Sequence, residues 1–238
     1  MTRCQNVSRC AIAPVAILFA VLGSLFVASH ATATLVLFTG TGPNAGVTGA
    51  ADITFDDAND KVTVKLTNTT TPTTDAPDLL TGIDFTIGGL SVTTNTLTAK
   101  GTQRTVAGDG TFTDSAPNQN LSWSVFTQGG GYRLDFNPDS KDAIIGPPTG
   151  GNYSGGNGSI KGNAGHTPFA AEMGTFTFSV PNLAANTPFI VTAFLYGTGP
   201  APAEGITTTS GGIPEPSTAI LALIAIVWTG WKLRPSRV

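Results

Sequence analysis

Asp56, Asp57, Asn59 and Asp60 crowd hard oxygen donors into one short stretch, the kind of donor set that could hold Ca²⁺. The complete spacing of an EF-hand loop is missing, since no Gly follows the third donor and no Glu closes the loop. Asp and Asn in such a run also make tight turns by bonding to their own backbone. The turn is the favoured reading, and these residues remain only candidates for a metal. No cofactor is assigned.

Catalytic constellations are thin. His166 is the only histidine between residues 34 and 212, and it stands beside Thr167 and Pro168. A serine triad or a zinc site needs an orienting acid or further ligands, and no such spacing surrounds it. Paired carboxylates could hydrolyse glycosidic bonds, but Glu172 and Glu204 are the only glutamates of that region. No catalytic residue is assigned, and the chain does not read as an enzyme. Trp123, Tyr132, Tyr153 and Tyr196 could stack on sugar rings. Trp123 alternates in phase with Leu121 and Val125, and Tyr132 with Leu134 and Phe136, so core packing is favoured for both. Tyr153, within a Gly-rich stretch, is the best exposed candidate.

The elements that must carry these residues follow a period of two. Val62, Val64 and Leu66 alternate with Thr63, Lys65 and Thr67; Ile83, Phe85 and Ile87 alternate with Asp84 and Thr86. Tyr132–Phe136 and Phe176–Val180 repeat the pattern, each predicting a strand with one buried and one wet face. Ala51–Phe55 and Leu121–Phe126 pair with their successors across the turns 56–60 and 128–131. Phe189–Tyr196 is apolar on both faces, which predicts a central strand. Gly146–Gly165 is a long loop, of the sort that is usually functional or disordered. No 3.6-residue apolar period stands out, so an antiparallel, jelly-roll-like β-sandwich is expected.

Charge narrows the function further. Residues 34–212 carry 14 acids and seven bases, a net charge of −7. Without a basic cluster, nucleic-acid binding is not expected. Cys4 and Cys10 are the only cysteines, leaving residues 34–212 with no disulfide, thiol nucleophile or cysteine metal site.

Both ends look like sorting signals. Arg3 and Arg9 precede an apolar stretch, Ala11–Val27, and Ala31-Thr32-Ala33 supplies the small residues of a signal-peptidase site. Cleavage is expected after Ala33. At the other end, Pro214-Glu215-Pro216 leads into an apolar run from Ala219 to Trp231, then Lys232, Arg234 and Arg237. The run would form a short hydrophobic helix of about 20 Å at 1.5 Å per residue. Its basic tail would stay on the cytoplasmic side. The prolines disfavour helix in the residue before each, so the motif should be extended.

Motif, apolar run and basic tail together closely resemble the PEP-CTERM sorting signal of Gram-negative bacteria. The resemblance implies recognition at Pro214, Glu215 and Pro216 by an exosortase, with Lys232, Arg234 and Arg237 as the retention tail. Ile213 stands where the family commonly has Val, and Pro235 and Ser236 interrupt the basic cluster. The Thr-rich stretch 62–69 and the pair Phe176–Val180 and Phe189–Gly197 also resemble strands of such proteins.

The expectation is therefore a signal peptide (1–33), a secreted β-sandwich (34–212) and a sorting signal (213–238), with a helix at each end. The protein would be an exported, cell-surface or matrix-associated structural protein, anchored transiently in the inner membrane. Its partners would be signal peptidase, exosortase and extracellular polysaccharide. The alternative is a carbohydrate-binding or adhesin module, with or without calcium.

Overall fold

Strict alternation governs the centre of the molecule. In the strand Thr48–Asp56 (β2) every second residue is buried, and the next strand, Lys61–Asn68 (β3), buries Val62, Val64, Leu66 and Asn68 in the same rhythm. β-Branched Val, Ile and Thr suit such half-buried pleats. The 3-10 turn Asp57–Asn59 joins the two strands, with Asp60 in the left-handed region at φ 53°.

The computed structural model describes residues 31–136, 141–198, 201–203 and 205–211. Before β2 lies β1 (Ala31–Gly40), and after β3 come β4 (Leu80–Ile87) and β5 (Thr93–Val106). Short β6 (Phe112–Asp114) and β7 (Gln119–Asn120) precede the hairpin of β8 (Trp123–Gln128) and β9 (Gly131–Phe136). Then follow β10 (Ile144–Ile145), β11 (Phe169–Ser179), β12 (Phe189–Tyr196), β13 (Ala201–Pro202) and β14 (Gly205–Gly211). Among the described residues the fold is all-β, and no helix is long and apolar enough to cross a membrane.

All strands join one mixed sheet, ordered β13-β12-β4-β10-β11-β3-β2-β1-β14. β9 also pairs with β4 and carries β8; β5 also pairs with β11 and carries β6 and β7. The pairs are antiparallel except β10 with β11. The short β10 connects the half containing β4 to the half containing β11. Asn68, 1% exposed, fixes that junction: its amide donates to the carbonyls of Asp78 and Ile144 at 2.8 Å each, and its oxygen accepts from the Thr70 amide.

Rings from the two halves meet in the core. Phe85 on β4 lies 5.7 Å from Phe178 on β11 and 4.7 Å from Phe189 on β12. Trp123 on β8 meets Phe176 on β11 at 4.5 Å, and Phe38 on β1 meets Phe194 on β12 at 5.0 Å. Offset and tilted pairs of this kind add to the benefit of area burial.

Several expectations need correction. The antiparallel sheet includes a parallel pair, β10–β11. Phe189–Tyr196 is not a fully covered central strand: β13 pairs only with Leu195 and Tyr196, and Ile190 is 56% exposed. The strand read at Leu121–Phe126 begins at Trp123, although Leu121 is still buried. β1, β5 and β14 are not among the expected strands: β1 begins inside the expected signal-peptidase site, and β5 and β14 are Thr-rich without a continuous apolar face. Segment 146–165 is neither open nor shapeless. It buries Tyr153 and Ile160, and its backbone bonds to Gly110, Thr74 and Val106.

Candidate functional site

Residues opposite one another on neighbouring strands share a face of the sheet. Thr54 on β2 opposes Thr63 on β3, Thr63 opposes Thr177 on β11, and Thr177 opposes Thr98 on β5. Phe55, Val62 and Phe178 turn inward next to them, so the threonines form a row on the outer face. At about 4.8 Å per strand, the row is roughly 14 Å long. Thr63 and Thr177 bring their hydroxyls to 3.0 Å, and the Thr98 hydroxyl donates to the Thr177 carbonyl at 3.2 Å. Two residues along, Asp52, Lys65, Thr175, Lys100 and Asn120 form a second row, in which the Lys100 ammonium donates to the Asn120 amide oxygen. Ordered hydroxyls, methyls and a few charges on a sheet face can meet a hydrated, hydroxyl-rich ligand over many weak contacts.

The acidic loop at the end of this face serves its own turn. The Asp56 carboxylate accepts from the Asn59 backbone at 3.2 Å and from its side-chain amide at 2.8 Å. Asp60 accepts from the Leu183 amide at 3.0 Å. Asp57 opens the turn as its first residue. Among the described residues no group of three or more His, Cys, Asp or Glu is placed to hold a metal.

Sequence reasoning missed a heavily bonded side chain, Arg104 on β5. It is 6% exposed and forks onto Asp114 on β6 with both bonds at 2.7 Å. It also donates to the Tyr153 hydroxyl at 2.9 Å and to Glu172 on β11 at 3.1 Å, and its guanidinium lies 4.1 Å over the Phe112 ring. Burial opposes its charge, yet bonds to Asp114, Tyr153 and Glu172 hold its pKa above the usual arginine range. Tyr153 is therefore no exposed sugar platform. At 2% exposure its hydroxyl donates to the Gly146 carbonyl at 2.7 Å, and burial raises its pKa. A lone arginine in a polar strand gives no sequence signal of such a cluster. Of the two glutamates between residues 34 and 212, Glu172 is engaged here and Glu204 lies outside the described residues.

A second ionic group sits on β4 and β9. Arg133 forks onto Asp84 at 2.6 and 2.8 Å. Neighbouring Asp135 is 4% exposed; burial pushes its pKa up to about 6, with Asp84 adding repulsion, while Arg133 and a bond from Ser124 counter.

Two hollows are lined by other predicted residues. A groove of about 490 Å³ runs beside the β8–β9 turn, lined by Thr86, Leu90, Thr127, Gln128 and Tyr132. Gly129 and Gly130, at φ 56° and 84°, make this two-residue turn, where a side chain would be strained. Tyr132 also stacks on Phe85, and Trp123 and Tyr196 are buried, so the core reading of Trp123 and Tyr132 holds. His166 borders a separate cavity of about 290 Å³.

Ala31 and Ala33 lie at the start of β1, opposite Asp56 and Thr54. Pro214, Glu215, Pro216, Lys232, Arg234 and Arg237 lie outside the described residues, as do the expected terminal helices. Comparison with protein families, curated proteins and solved structures finds no match for this chain.

Removing the Tyr153 hydroxyl leaves Arg104 and the Gly146 carbonyl each short of a partner. Tyr153→Phe should cost about 1–3 kcal/mol in urea unfolding and speed tryptic cleavage after Lys161. Unchanged stability would mean that segment 146–165 is held by other contacts. Asp135 offers a pH test. Its folded pKa, about 6, exceeds the unfolded value near 3.9, so the folded state keeps this proton longer and loses stability as pH rises from about 4 to about 6. Asp135→Asn removes that loss: the variant should gain on the native chain by up to about 3 kcal/mol between pH 4 and 7. A gap that stays constant with pH would place the Asp135 carboxyl in water.

Proposed function

We propose that this chain is an exported, cell-surface or matrix-associated structural protein whose threonine-lined sheet face contacts hydrated polysaccharide. The row Thr54–Thr63–Thr177–Thr98 carries this reading, because it sets four hydroxyls in register across four strands. Association would be the sum of weak contacts along a glycan rather than capture in one deep site. Lys65 and Lys100 in the second row, offset by Asp52, would favour chains bearing some negative charge.

The ring contacts between the two halves support a jelly-roll-like sandwich as the finer description of the sheet. Sorting is proposed on the sequence: signal peptidase cutting after Ala33, then an exosortase acting at Pro214-Glu215-Pro216. The inner membrane would hold the C-terminal helix until that cleavage. One structural feature agrees with the proposed boundaries. Thr34 pairs with Gly211, so the two ends of the proposed secreted domain leave the sheet side by side. Cleavage after Ala33 would trim the positions opposite Thr54, Phe55 and Asp56, leaving Thr34–Thr39 paired with Thr48–Ile53. The groove beside the β8–β9 turn, with Tyr132 and Gln128, favours the alternative of a discrete carbohydrate-binding module.

The purified protein should be retained on the host's own extracellular polysaccharide, and Thr63→Val/Thr177→Val should lower that retention severalfold. Absence of retention by the native chain would refute polysaccharide contact, and equal retention by the variant would move it off this face. A glycan array giving defined hits, rather than weak broad retention, would favour the discrete module. Intact masses from cells and medium should end near Pro214–Pro216. A complete C-terminus in the membrane fraction would make the tail a plain anchor.

A further inference from the structure

The outer face that carries the threonine row also carries an apolar one. Leu37 on β1 opposes Ala50 on β2, Ala50 opposes Thr67 on β3, and Thr67 opposes Met173 on β11. Leu35 lies two residues from Leu37 on the same strand, opposite Asp52. Leu35, Leu37 and Met173 are three of the five large hydrophobic side chains exposed among the described residues, so they form a patch rather than scatter. A hydrated glycan offers such side chains little, whereas exposed apolar patches suit a protein partner.

Two charges beside the patch are uncommitted. Asp52 and Lys65 stand opposite each other, yet among the described residues neither forms an ion pair. Six strands make up this part of the sheet, in the order β14-β1-β2-β3-β11 with β5 beyond β11. A two-fold axis running along the strands between β2 and β3 leaves three strands on each side. It exchanges β2 with β3 and β1 with β11. Asp52 of one copy then faces Lys65 of the second, Leu37 faces Met173, and Ala50 faces Thr67. No like charges meet. Sheets packed face to face lie within about 30° of each other, so contacts near the axis keep this order.

We propose that two copies of this chain pack face to face about that axis. Six strands about 4.8 Å apart, over seven residues of about 3.3 Å each, give roughly 550 Å² per copy. Two such faces bury about 1,100 Å², the size of a weak, reversible interface. Thr54 of one copy faces Thr63 of the second, so a glycan and a second copy exclude each other here. The inference does not rest on polysaccharide contact, because the dimer forms without glycan.

Sedimentation velocity tests this on the intact chain in excess non-ionic detergent, which puts the apolar ends of separate copies in separate micelles. A reversible dimer with a micromolar dissociation constant is expected. Asp52→Lys sets like charges against Lys65 of the second copy, and Lys65→Asp does so against Asp52. Each variant alone should dimerise at least about tenfold more weakly. Mixing the two variants restores both opposite-charge pairs in a heterodimer, and the native dissociation constant should return. A variant that had merely misfolded would not be rescued by mixing. Absence of a dimer up to about 1 mM, the weak end of specific association, would overturn the proposal. So would a dimer unchanged in both single variants, or one that mixing fails to restore.

Discussion

The structure depends on one phase relation held across neighbouring strands. Ile53, Val64, Phe176 and Ala99 face inward at the same level of β2, β3, β11 and β5. One residue away, Thr54, Thr63, Thr177 and Thr98 face outward. A slip of one residue in any of these strands would drive threonine or lysine into the core and expose phenylalanine. With Cys4 and Cys10 the only cysteines, no disulfide can fix register in residues 34–212. Burial does that work. The surface pattern offered to a ligand is thus a by-product of the same alternation that makes the core, and the two cannot be varied independently.

Ionic bonding adds a second layer of order where alternation ends. Beyond Ala170 the register of β11 with β5 shifts, and Glu172 takes a positive φ of 63°. Arg104 sits at that irregularity and collects Asp114, Glu172 and Tyr153 around one planar fork. Burying a cation is costly unless its donors are matched, and here acceptors from several segments match them. The cluster ties β6, β11 and the Gly-rich segment to β5. It selects the arrangement in which the Gly-rich segment folds down over β5 and β6, since only then does Tyr153 reach both Arg104 and the Gly146 carbonyl.

How much of this was legible in the sequence follows from range. Period-two patterns located β3, β4, β9 and β11, because each strand states its own burial through alternate apolar residues, and the turn 56–60 located β2 beside β3. The turn after Asp56 was legible because its Asp56–Asn59 bonds join residues three apart, whereas the bond from Leu183 to Asp60 was not. β5 was hidden because its burial comes from β11, far along the chain, and its own residues are mostly polar or Gly. Tyr153 was misread because Gly-rich surroundings suggest exposure, while its partner Arg104 stands 49 residues away. The threonine row was half visible. Composition showed Thr-rich strand faces, but only the register shows that Thr54, Thr63, Thr177 and Thr98 align.

The edge beside β1 connects fold to the proposed export route. β14 pairs only with β1, and β1 in turn leans on β2, so the first and last strands of the sheet depend on each other. Leu35 and Leu37 stay exposed on β1, at 37% and 46%, while Val36 and Phe38 fill the core. An edge of this kind is completed only when β14 has been made, because the residues that cover β1 follow every other described strand in the chain. A chain threaded outward N-terminus first would present β1 without its outer neighbour until residues 205–211 emerged. Docking of β14 would then coincide with arrival of the segment 213–238. On the proposed route, the sheet would close at the stage when a C-terminal signal becomes available for processing. A sorting signal placed at this end, rather than in an internal loop, would therefore be read on a chain whose last strand is already available to pair.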